Sequence, residues 1–247
     1  MAVTLSPQDR ADISSARTAG VLADLAPEKF DFHAGVIAIL CPDGDQTEKR
    51  THLEALVASQ NGDKRVHLIT QHGAALSLSA SSPLSNPSLF LPDLLDDVAR
   101  NRSRLFKVVA FLLRPLVWLM GWMGRRNIQI LANLWAAIRM KQIKTIVLYI
   151  HAPCGAADHC GVSFRDELLH LIKAKRRIEW WLGYMGIKVA CFCHVDYGAG
   201  KKKTYFIKTR STEDWLGDPL RCSEGANGVN GVSRPDATVN STADSNM

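Results

Sequence analysis

A chain of 247 residues with 47% hydrophobic content holds enough apolar material for one sizeable core, so a single domain with flexible ends is the simplest expectation. A formal charge of +6 and a pI near 9.1 permit an acidic partner without requiring one. The basic clusters at Arg125-Arg126, Lys173 to Arg177 and Lys201 to Lys203 lack interleaved aromatics, so a nucleic-acid partner is not expected.

The opening residues, MAVTLSPQDRADISSAR, show no charged leader running into an apolar stretch, which predicts a cytoplasmic protein. In that reducing compartment the six cysteines read as metal ligands or small buried hydrophobes, not as a disulfide framework.

In chain order, residues 1–30 read as an N-terminal arm with one helix after Ser6-Pro7, where serine caps and proline occupies the first turn. The unbroken apolar run Gly35 to Leu40 predicts a buried strand, followed by a helix from about Gln46 to Ser59. Arg65 to Thr70 predicts a second strand. The interval 83–126 is the awkward one: Ser77 to Pro92 is rich in serine and proline, and Phe106 to Met123 is heavily apolar.

Lys107, Arg114 and Pro115 inside that apolar stretch argue against a spanning helix and for a kinked core or dimer-interface helix. Trp118, Trp122 and the following arginine pair keep peripheral membrane contact through 106–123 as the alternative. A helix from Asn127 to Lys141 then leads into the β-branched run Ile143 to Ile150. A further helix, Arg165 to Gly183, leads into the strand Ile187 to Phe192. The basic residues of that last helix read mainly as a solvated face, with phosphate or lipid contact as a lesser alternative.

Alternating strands and helices predict an α/β domain over 31–216 with a mainly parallel sheet flanked by helices, a helical apolar insert, and a disordered tail over 217–247. Sites in such sheets form at the carboxyl ends of the strands. Cys41, Gln71 and His151 all fall just past predicted strand ends, and Cys154 follows two residues after His151-Ala152. Two thiolates and an imidazole suit zinc, and three protein ligands leave a fourth position for an exchangeable group.

The segments Cys41-Pro42-Asp43-Gly44-Asp45 and His151-Ala152-Pro153-Cys154-Gly155 resemble the β-carbonic anhydrases, whose pattern is Cys-x-Asp-x-Arg and His-x-x-Cys-Gly. Gln71 to Ala75 stands where that family has its turn after the second strand, and Val195-Asp196-Tyr197-Gly198 is similar to its last strand and turn. The resemblance implies a β-carbonic-anhydrase-like fold, zinc (Zn2+) held by Cys41, His151 and Cys154, and a homodimer or larger oligomer.

It also implies a lyase that reversibly hydrates carbon dioxide to bicarbonate. A water on the zinc ionises near neutral pH, and Asp43 either orients the resulting hydroxide or occupies the fourth position. Some members of the family hydrolyse carbon-sulfur substrates instead.

The chain departs from the pattern at Asp45, where the family has an arginine that draws the aspartate off the metal. A carboxylate cannot make that bidentate pair, which favours Asp43 staying on zinc and a catalytically silent relative; Lys49 or Arg50 is the candidate substitute cation. Cys191, Cys193 and His194 read as buried strand residues before a second metal site. His159 and Cys160 read as a lead into the next helix, and Asp158 as its cap.

Overall fold

The computed structural model describes residues 4–26, 30–42, 47–61, 65–85, 115 and 128–217. Asp43, Asp45, the rest of the apolar segment 106–123 and the tail from 218 onward lie outside the described residues.

The runs of branched apolar residues form the centre of the sheet. Strand β2 (Val36–Leu40) is buried along its whole length, as are β4 (Thr145–Ala152) beyond its first residue and most of β5 (Lys188–Asp196). Burial on both faces is what an unbroken Val/Ile/Leu run encodes. Ile37, Ile39 and Cys41 point to one layer with Leu148, Cys191 and Cys193, while Val36, Ala38 and Leu40 point to the other with Val147, Tyr149 and Phe192.

Strand β3 (Val66–Thr70) pairs parallel with β2, β2 with β4, and β4 with β5. Two further strands, β1 (Leu22–Asp24) and β6 (Lys202–Ile207), extend the sheet antiparallel, giving the order β1-β6-β5-β4-β2-β3. The sheet is therefore mixed, parallel across β3, β2, β4 and β5 as the alternating pattern predicts, with an antiparallel edge of β6 and β1 that carries it past Tyr197. The segment read as an N-terminal arm is also part of this structure.

Helix α1 (Pro7–Thr18) starts where Ser6 Oγ accepts the Asp9 amide at 3.0 Å, buries Ile13 and Ala16, and hands the chain to β1 at the sheet edge. Helix α2 (Thr47–Asn61) covers the second layer with Leu53, Leu56 and Val57, together with Phe32. Helices α3 (Ile128–Lys141) and α5 (Phe164–Leu182) join α1 over the first layer. Full burial of each Leu, Ile or Phe in these layers contributes roughly 1.5–3 kcal/mol. A short helix, α4 (Gly155–His159), and a final one, α6 (Thr209–Leu216), complete the described α-helices.

Gly35 sets the entry to β2. Its φ is +93°, and a Cβ there would meet the Arg65 carbonyl oxygen at 2.5 Å, so only glycine lets the start of β2 lie against the residue preceding β3.

From β2 the chain moves to one side of the sheet for β3 and to the other side for β4. The change of direction opens a crevice at the carboxyl ends of β2 and β4, the position at which open α/β sheets build their sites. Among the described residues no helix is long and apolar enough to cross a membrane.

Candidate metal centre

Three side chains converge at this crevice. Cys41 is the first residue past β2, His151 lies near the end of β4, and Cys154 follows the turn that leaves it. Their ligand atoms all lie within 4.8 Å of one another, and all three residues are buried, at 4%, 5% and 5% exposure respectively. Among the described residues this is the group of metal-ligating side chains that could hold an ion. His151 and Cys154 reach it from opposite sides of the cis Ala152-Pro153 peptide.

The donor set fits zinc. Tetrahedral coordination with Zn–S near 2.3 Å and Zn–N near 2.0 Å sets donor atoms about 3.3–3.8 Å apart, so the observed cluster needs at most a shift on the order of 1 Å to close around an ion. Two thiols, an imidazole and exclusion from bulk water are the chemistry that selects zinc over calcium or magnesium.

Local electrostatics work against an uncoordinated thiolate. A hydrogen bond with Cys41 raises the Cys154 pKa most, followed by burial and the charge of Glu167; the Ala157 amide, bonding to the sulfur, pulls the other way. Without a cation Cys154 retains its thiol proton, and metal entry must displace it.

Glu167 is the residue that the sequence reading missed. It lies on α5 at 3% exposure and lines a cavity of about 50 Å³ with Cys154, Pro153, Asp158 and Asp9. Its spacing was the available signal: it falls among Phe164, Leu168, Leu171 and Ile178 on the buried stripe of a helix whose other charges lie outside that stripe.

Asp158 lines the same cavity, and Ser163, not Asp158, caps α5, its Oγ accepting the Asp166 amide at 3.2 Å. Asp9 ties the two helix starts together, its Oδ1 accepting the Phe164 amide at 3.2 Å.

The remaining candidates are not members of this group of three. Cys191 and Cys193 are fully buried in β5, and His194 pairs through Nδ1 with Thr204 Oγ1 at 2.9 Å. His194 also lies beside His151 in the β4–β5 register. Cys160 caps the end of α4 and His159 is its last residue. Gln71 follows β3 and donates its amide to the Leu40 carbonyl, tying that turn to the end of β2. Asp43, two residues beyond Cys41, is outside the described residues, while Lys49 and Arg50 fall in the first turn of α2.

No family model, curated protein or solved structure matches the chain significantly, so a functional reading rests on the site itself.

Proposed function

We propose that the chain holds one zinc ion through Cys41, His151 and Cys154 and acts as a carbonic-anhydrase-like lyase, interconverting carbon dioxide and bicarbonate. The observation that carries this reading is the convergence of two buried thiols and one imidazole within 4.8 Å at the carboxyl ends of neighbouring parallel strands. The resemblance of the two ligand segments to the β-carbonic anhydrases supports the same assignment.

Zinc in a three-ligand site supplies Lewis acidity, making a hydroxide nucleophile available near neutral pH. The chain's own residues do the rest. Cys41 and Cys154 provide negative charge and fix two corners of the site, and His151 fixes the third from the rigid end of a strand buried in the sheet. The cavity of about 50 Å³ beside Cys154 suits a substrate of a few atoms, as carbon dioxide is. Asp43, by the resemblance, accepts a hydrogen bond from the nucleophile and holds it toward the substrate.

Asp45 favours a second reading, in which zinc is structural. With a carboxylate where the family has arginine, nothing at that position draws Asp43 away from the metal. Stopped-flow hydration of carbon dioxide by zinc-loaded protein separates the two. The lyase reading expects turnover in the wild type that is lost in Cys154→Ala; zinc bound at one per chain with a rate equal to that of the mutant establishes the structural role.

A further inference from the structure

We propose that the exposed ends of α3 and α5 form a docking surface for anionic lipid, by which the protein associates peripherally with a membrane. Among the described residues, the large hydrophobic side chains left exposed are Trp135 (45%), Met140 (76%), Trp180 (77%), Trp181 (50%) and Tyr184 (77%). All sit on α3 or at the end of α5. Scattered exposed apolar residues are ordinary, whereas a cluster confined to one place marks a contact surface.

Two groups within the cluster are in contact. The Trp180 and Trp181 rings meet edge to face at 5.0 Å, and Tyr184 follows in the short 3-10 turn Gly183–Met185 after α5. Tyr184 shares a groove of about 340 Å³ with Arg139 and Lys144, and the Arg139 guanidinium lies 5.9 Å from the ring centre of Trp135.

Composition and charge identify the occupant. Tryptophan and tyrosine carry a polar edge on an apolar ring, which suits the headgroup boundary of a bilayer. Arg139, Lys141 and Lys144 are exposed and carry no ion pair among the described residues. The nearby acids are engaged, Glu179 by Lys175 and Asp31 by Lys188, each at 3.8 Å. Among the described residues the surface therefore presents positive charge without an ion-pair partner around aromatic rings, complementary to an anionic membrane.

A second copy of the same surface would set those three cations against themselves. The surface also lies at the amino ends of β4 and β5, which begin at Thr145 and Lys188, opposite the ends that carry the cysteine-histidine cluster. Docking leaves that cluster open.

The test is co-sedimentation of the full chain with phosphatidylcholine vesicles, with and without phosphatidylserine, read alongside tryptophan emission. Two variants accompany it, one carrying Trp180→Ser, Trp181→Ser and Tyr184→Ser, the other Arg139→Gln and Lys144→Gln. The side chains are exposed, so both variants are expected to fold, and circular dichroism checks this.

Binding to the phosphatidylserine vesicles, with a blue-shifted emission and a loss of about tenfold or more in either variant, is the expected result. Three outcomes overturn the proposal: no binding to those vesicles, binding that the aromatic variant retains in full, or a wild-type oligomer that the aromatic variant dissociates. The last assigns the surface to protein association. None of these readouts depends on zinc or on turnover.

Discussion

Ile39 of β2 lies opposite Leu148 of β4 in parallel register, and the same register carried forward brings Cys41 and His151 to the shared end of the two strands. The site is thus a consequence of strand pairing. Cys41 lies more than a hundred residues of chain before His151 and Cys154, yet two adjacent strand ends and one turn bring the three donor atoms within 4.8 Å. Cys41→Ser, His151→Ala and Cys154→Ser are each expected to weaken zinc binding by more than about 100-fold, exceeding the typical effect of losing an outer partner. Zinc per chain after dialysis against a competing chelator measures this; retention by any one variant removes that residue from the ligand set.

Stability should fall on mild acidification through His170. The ring is buried, its Nδ1 lies 3.0 Å from Ser79 Oγ, and burial, aided by Lys173 and opposed by Asp166, lowers its pKa from 6.5. A histidine whose folded pKa is depressed takes up more protons when unfolded. Its contribution is complete above the unfolded pKa and is lost as pH falls below it. Lys173 and Arg177 bond to Ser81 Oγ and the Leu78 carbonyl, so protonated His170 joins two cations already holding this segment. Urea unfolding from pH 7 to pH 5 is expected to show a shallower loss of stability in His170→Gln than in the wild type.

Gly35→Ala is expected to destabilise the fold by about 3 kcal/mol, the sum of a strained positive φ and a forced contact. The contact is with the Arg65 carbonyl at 2.5 Å, where backbone on the β3 side must move. Thermal unfolding checks it, and an unchanged midpoint would mean that the approach of β2 to β3 is looser than the geometry here.

Tyr149→Phe should be neutral or stabilising by about 1 kcal/mol, since removing an unbonded buried hydroxyl relieves its desolvation. The fully buried Tyr149 hydroxyl has no hydrogen-bond partner among the described residues, and its ring packs edge to face on Phe192 at 5.2 Å. A loss of more than about 1 kcal/mol in chemical denaturation would show that the hydroxyl has a partner in solution.

The parallel centre of the sheet was legible because both faces of β2, β4 and β5 are buried, and double burial writes itself as an unbroken apolar run. The antiparallel strands were not. β1 is three residues long, and β6 begins Lys202-Lys203-Thr204 with alternating exposure, so neither produces such a run. The cap at Ser6 and the bounds of α5 followed from local chemistry, whereas the packing of α1 against the core depends on Ile13 and Ala16, two small apolar signals in a polar helix.

The grouping of Cys41, His151 and Cys154 was legible because each stands at or just past the end of a strand. Glu167 was hidden among the abundant charges of α5, where only its position on the apolar stripe distinguishes it. Asp43 and Asp45, on which the chemistry of the proposed enzyme turns, lie outside the described residues.

The most direct test of the central claim is zinc K-edge X-ray absorption on the metal-loaded chain. Two sulfur neighbours at about 2.3 Å and at least one nitrogen near 2.0 Å are predicted, with one sulfur lost in Cys41→Ser. A coordination sphere of nitrogen and oxygen alone, or a wild-type spectrum unchanged by that substitution, would contradict it.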